Sequence, residues 1–139
     1  MKAILLLPLA TAAMLLGSAV NSAFSASDAE QVYNGIRYAC TGVGAEARDD
    51  PRWPAYPAKL VFATADGGYL GDVAVRVNDS AGTPIFEARC LTPWLFVQLD
   101  PGKYRIDVVA RQSYRQTVEM TVGGSGQAER VVRFPEITK

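Results

Sequence analysis

Residues 93–111, PWLFVQLDPGKYRIDVVAR, decide the fold class. Trp94, Leu95, Phe96, Val97 and Leu99 make an apolar run rich in strand formers, and Asp100-Pro101-Gly102 breaks it. After the break Tyr104, Ile106, Val108 and Ala110 alternate with Lys103, Arg105, Asp107 and Val109. Alternation at a period of two puts one face of a strand in the core and the other in water. Proline presets φ for a turn and glycine accepts a positive one, so the stretch predicts strand, turn, strand, read as a hairpin at the centre of a small all-β domain. On this reading Trp94 is a core residue at the start of a central strand.

Strand patterns recur at short spacing on both sides. Residues 33–40 read as a first strand, with Ile36 and Tyr38 on one side and Arg37 on the other. Residues 58–64, 69–78 and 83–89 read as the next three, with Val73, Val75 and Val77 inward and Pro84 marking an edge strand. Residues 114–122 and 128–134 follow the opening pair, with Val118, Met120, Val122, Val132 and Phe134 inward. Glycine-rich or Asp-Gly breaks separate most of them, as a sandwich requires. Between the first two strands, residues 45–50 (AEARDD) favour a helical turn that Pro51 and Pro54 end. The expectation is a single seven- to eight-stranded Greek-key-type β-sandwich over residues 33–135, with a short helical insertion after the first strand.

The first residues read as an export signal. Lys2 precedes the apolar stretch 3–16 (AILLLPLATAAMLL), and small residues lead to a cut expected after Ser25. That stretch is short of the ~20 apolar residues a membrane span needs. The expected division is a signal over 1–25, a flexible lead-in over 26–32, the sandwich over 33–135 and a tail over 136–139. Export implies a periplasmic or secreted protein with no stable membrane insertion after cleavage. In an oxidising compartment the only two cysteines, Cys40 and Cys90, form one possible disulfide, against the alternative of two buried thiols. Closing that loop would stabilise the fold by about 4 kcal/mol in the chain-entropy picture.

The chain carries 14 basic and 14 acidic residues; loss of Lys2 with the signal leaves 13 − 14 = −1. No basic cluster marks a nucleic-acid partner. There is no histidine at all, which removes histidine-activated nucleophiles, imidazole metal ligands and the usual proton shuttle near neutrality. Glu46 with Asp49 or Asp50 is the carboxylate pair that could serve a hydrolase, set against a solvated acidic turn. Asp66, Asp72 and Asp79 could supply oxygens to calcium, but they are spread along a predicted hairpin, and Asp66 and Asp79 sit where turns favour aspartate. No cofactor, metal or catalytic residue is therefore assigned. The candidate binding loop is Thr41, Gly42, Val43, Gly44 and Glu46, with Trp53 and Tyr56 just downstream. Its glycines either open backbone N–H groups to an anion or let the chain turn tightly, and Trp53 is either a recognition aromatic or a cap on the open end of the sandwich.

The segments Gly71-Asp72-Val73-Ala74-Val75-Arg76-Val77, Leu99-Asp100-Pro101-Gly102-Lys103-Tyr104-Arg105-Ile106 and Tyr114-Arg115-Gln116, with a glycine turn after the first, resemble the carboxypeptidase regulatory-like, transthyretin-like (prealbumin-like) β-sandwich. The likeness covers about residues 58–134. Within that class it is most similar to small exported proteobacterial proteins that carry Y…G-(I/V)-G-x-E, here residues 38–46, and a Gly-Pro before the central strand, where Thr92 replaces the glycine. The resemblance implies an accessory or interaction module. One relative, the transthyretin-like hydrolase of the urate pathway, relies on histidines and a terminal Tyr-Arg-Gly-Ser; this chain has no histidine and ends Glu136-Ile137-Thr138-Lys139, so that activity does not carry over. The expected function is non-catalytic binding of an envelope protein or glycan. A carboxylate hydrolase, or a structural factor that pairs through a strand edge, are the alternatives.

Overall fold

A computed structural model describes residues 29–138. The expected signal, 1–25, lies outside the described residues. Nine strands form two packed sheets. The first sheet holds β1 (Gln31–Tyr33), β2 (Ile36–Thr41), β6 (Trp94–Val97), β3 (Ala58–Thr64) and β9 (Ala128–Phe134) in that order. The second holds β5 (Pro84–Cys90), β4 (Val73–Asn78), β7 (Gly102–Ala110) and β8 (Tyr114–Val122). All pairings are antiparallel except β3 with β9. The all-β sandwich is as expected, and β3, β8 and β9 fall where the alternation places them.

The ninth strand arises because residues 33–40 are not continuous. Asn34 and Gly35 have φ of 48° and 79°, and Tyr33 pairs with Ile36 across them. Two successive positive φ values give the tight turn whose twist suits a hairpin, and Asn-Gly is the pair that adopts it at least cost. β1 thus begins at Gln31, inside the expected lead-in. At the other end Ile137, in the expected tail, is buried in the core and its carbonyl accepts from the Ala65 N–H at 2.8 Å.

The opening stretch is corrected too. β6 and β7 are not a hairpin, since they lie in different sheets. β6 is the central strand of the first sheet. The chain then leaves that sheet, buries Leu99 between the layers and enters the second at Gly102. The Tyr104 hydroxyl donates to the Asp100 carbonyl at 2.5 Å and fixes the corner.

Leu60, Phe62, Val73, Val75, Val77, Phe86, Leu95, Val97, Ile106, Val108, Val132 and Phe134 fill the space between the sheets. The disulfide Cys40–Cys90 ties β2 to β5 across it, with a Cα–Cα distance of 5.4 Å. A second, smaller cluster lies on the outer face of the first sheet. There the segment 42–57 folds over Ala39 and Phe96 and buries Trp53 and Tyr56. β6 is therefore covered on both faces, which accounts for its unbroken apolar run.

Candidate functional site

Register decides which loops meet. Thr41 pairs with Trp94, and Trp94 with Val61, so the chain leaving β2 and the chain entering β6 lie at one end of the first sheet. Val73 pairs with both Cys90 and Ala110, which brings Asp72, Leu91 and Arg111 to one end of the second. The Cys40–Cys90 bond joins these two ends, because it lies one residue before Thr41 and one before Leu91. Gly71 packs so tightly on Leu91 that an added Cβ would stand 2.2 Å from its carbonyl oxygen. Four segments thus converge: 42–57, 65–72, 91–93 and the β7–β8 turn.

Of the expected binding loop, Thr41, Gly42, Trp53 and Tyr56 are buried, while Val43, Gly44 and Glu46 face outward. Trp53 neither caps the open end nor presents itself for recognition. Its ring stacks on Phe96, with centroids 5.1 Å apart and planes 11° off parallel. Its indole N–H donates to the Ala47 carbonyl at 2.5 Å. The Gln127 side-chain amide donates to the Trp53 and Tyr56 carbonyls at 2.9 and 3.0 Å, stapling the segment to the turn before β9. Burial, with the Glu30 carboxylate beside it, pushes the Tyr56 hydroxyl up to about 12.

The helix shrinks to one turn, α1 (Ala45–Arg48), with no side-chain cap. Its last residue organises the surface. Arg48 Nε donates to the Gly42 carbonyl at 2.9 Å. The guanidinium then lies 4.6 Å from the centre of the Tyr69 ring and 5.6 Å from that of Trp94. Lys59 approaches Trp94 as well, its ammonium 3.8 Å from the ring centre. Gly42 has φ of 106°, and a Cβ there would meet the Trp94 ring at 2.6 Å. Glycine at this position is thus required by both backbone and contact. Trp94 is accordingly half-buried on the outer face rather than part of the central core.

Within this cation–aromatic cluster Tyr69 is 53 % exposed, and Val43 (66 %) and Leu91 (72 %) are exposed on the adjoining segments. The backbone of the same end is strained. Of four non-glycine residues with positive φ among the described residues, Asp72 (57°), Arg111 (49°) and Gln112 (64°) lie here, and the Arg111 N–H donates to the Asp72 carbonyl at 3.3 Å. Each such residue costs of order 1 kcal/mol, and strain of this kind gathers at working surfaces.

The carboxylates do other work. The Arg52 guanidinium hydrogen-bonds Asp50 and holds its carboxyl below the usual range, the reverse of what a proton donor needs. Glu46 and Asp49 stand exposed. Asp66 accepts from the Thr64 hydroxyl, Asp72 pairs with Arg89 at 2.5 Å, and Asp79 accepts from the Ala81 and Thr83 N–H groups. The three are thus committed to separate turns and pairs. Among the described residues no helix is long and apolar enough to cross a membrane.

The sandwich and its loop end place the chain in the class of disulfide-bridged all-β modules. No protein-family model matches it, and no curated protein matches it either.

Proposed function

We propose that the protein is a non-catalytic, exported interaction module of the carboxypeptidase regulatory-like kind, acting in the periplasm or outside the cell. Its partner is an envelope protein, held at the end that carries Val43, Arg48, Tyr69, Leu91 and Trp94. The observation that carries this reading is an arginine laid over two aromatic rings, one of them exposed Tyr69, at an end that also exposes Val43 and Leu91. Tyrosine, tryptophan and arginine are the residues that dominate protein interfaces when they can be desolvated together. A disulfide directly beneath these loops preorganises them, which lowers the ordering cost of binding. A protein is favoured over a glycan because sugars stack on free aromatic faces. Here Lys59, Arg48 and the Gly42 backbone crowd Trp94, and Arg48 covers Tyr69.

The test uses the mature chain with its disulfide intact. Wild type, the Val43→Asp/Leu91→Asp double variant and a distant control, Lys103→Glu, are used as bait in envelope extract, and the captured protein is then purified and titrated. Both aspartates replace exposed residues, so the fold is kept and circular dichroism confirms it. The expected result is one partner held by wild type and control and bound at least tenfold more weakly by the double variant. Equal binding by all three would move the surface elsewhere, and capture of nothing by any of them would remove the reading.

A further inference from the structure

The outer face of the second sheet carries a groove of about 700 Å³, beside the loop end but lined by strand residues. Its floor follows from register. Ala74 on β4 lies opposite Val109 on β7, and the row continues to Arg89 on β5 and Arg115 on β8. Two short apolar side chains between two arginines leave a trough across the middle strands, about 14 Å from end to end at three strand spacings. Tyr33 closes the β5 side, its ring edge-on to Phe86 at 5.7 Å. The parallel row, Glu87, Arg76, Asp107 and Thr117, forms one wall.

Charge accounting selects the ligand. Glu87 is taken by Arg76 at 2.8 Å, and Asp72 takes Arg89 at 2.5 Å. Asp107 accepts from the Thr117 hydroxyl and the Asn78 amide, each at 2.9 Å. Arg115 lines the same groove and has no carboxylate partner among the described residues. At one end of the groove Arg115 is thus the arginine without a carboxylate partner, Asp107 in the wall is held by neutral donors alone, and an apolar floor leads away from Arg115. We infer that it binds a small amphipathic carboxylate, with its anionic head on Arg115 and its apolar body lying over Val109 and Ala74 towards Tyr33. A guanidinium fork meets a carboxylate through two parallel hydrogen bonds. A dianionic phosphate fits less well, because Asp107 in the same groove opposes two negative charges more strongly than one. The volume lies in the range of small-molecule sites.

The test is titration of the isotope-labelled mature protein, disulfide intact, with sodium octanoate, followed by amide chemical shifts. Sodium acetate supplies the head without the body, and octylammonium chloride the body with the wrong charge. Expected are saturable shifts at Ala74, Val109, Arg115 and Thr117 with octanoate alone. Arg115→Gln should weaken binding at least tenfold and Arg115→Lys less, while Ala74→Gln, which fills the floor, should also weaken it. Arg115 is exposed, so these variants keep their fold, and the amide spectrum reports it. No saturable shift with octanoate, shifts outside the groove, equal response to octylammonium, or an unchanged affinity in Arg115→Gln would each overturn the assignment.

Discussion

Tyr56 lies 3 % exposed under the covering segment, and its hydroxyl resists ionisation through burial first and the Glu30 charge second. Below pH 10 the phenol is neutral in both folded and unfolded chains, and the stability is complete. Between pH 10 and about 12 the unfolded phenol loses its proton while the folded one keeps it, so stability falls as pH rises, by on the order of 2 kcal/mol. Tyr104, raised by its own burial, adds to the loss. Urea midpoints at pH 9 and pH 11.5 should therefore drop sharply for wild type and less for Tyr56→Phe; an equal drop would show that the Tyr56 hydroxyl is open to solvent. Single residues were unevenly legible in the sequence. The inward valines and the cysteine pair followed from periodicity and compartment. Arg48, Lys59, Tyr69 and Trp94 did not, because they come from four separate segments and only register brings them together.

The two hairpin turns with two successive positive φ values show what an element's sequence does and does not reveal. Asn34-Gly35 uses the residues that such a turn prefers, so β1 and β2 could have been separated by that dipeptide. Arg111-Gln112 adopts the same backbone signs with neither asparagine nor glycine, and the Ser113 N–H closes it onto the Ala110 carbonyl at 3.1 Å. Replacing the pair by Arg111→Asn with Gln112→Gly should stabilise the fold by about 1–2 kcal/mol, read as a higher urea midpoint. If the native pair serves the proposed interaction, the same variant weakens capture of the proposed envelope partner. No gain in midpoint would mean that the turn is held without strain. β6 departs from the expected hairpin for another reason. Asp-Pro-Gly announces a break in the chain but not which sheet each flanking strand joins. Non-alternating Trp94, Leu95, Phe96 and Val97 record cover on both faces, supplied by residues 42–57 far away in sequence.

At the scale of the whole molecule the sequence carried the sandwich and the bridge between its sheets. The mixed sheet was beyond it, because the parallel pairing of β3 with β9 joins residues 128 − 58 = 70 positions apart. So was the convergence of four segments at one end of the sandwich. The bridge itself has a mechanical consequence. Cys40 and Cys90 enclose β3, β4 and β5 in a closed loop of sequence separation 50. A chain gripped at its two ends and pulled can pay out only the residues outside that loop. Roughly 170 Å of contour, at about 3.4 Å per residue, stays out of the load path until the sulfurs part. Single-molecule stretching should show that length only after a reductant is added, and its appearance without reductant would mean that the bond is absent in solution. Any machine that unravels the protein from a terminus would meet the same obstacle, a closed loop of three strands that cannot be drawn through as a single extended thread.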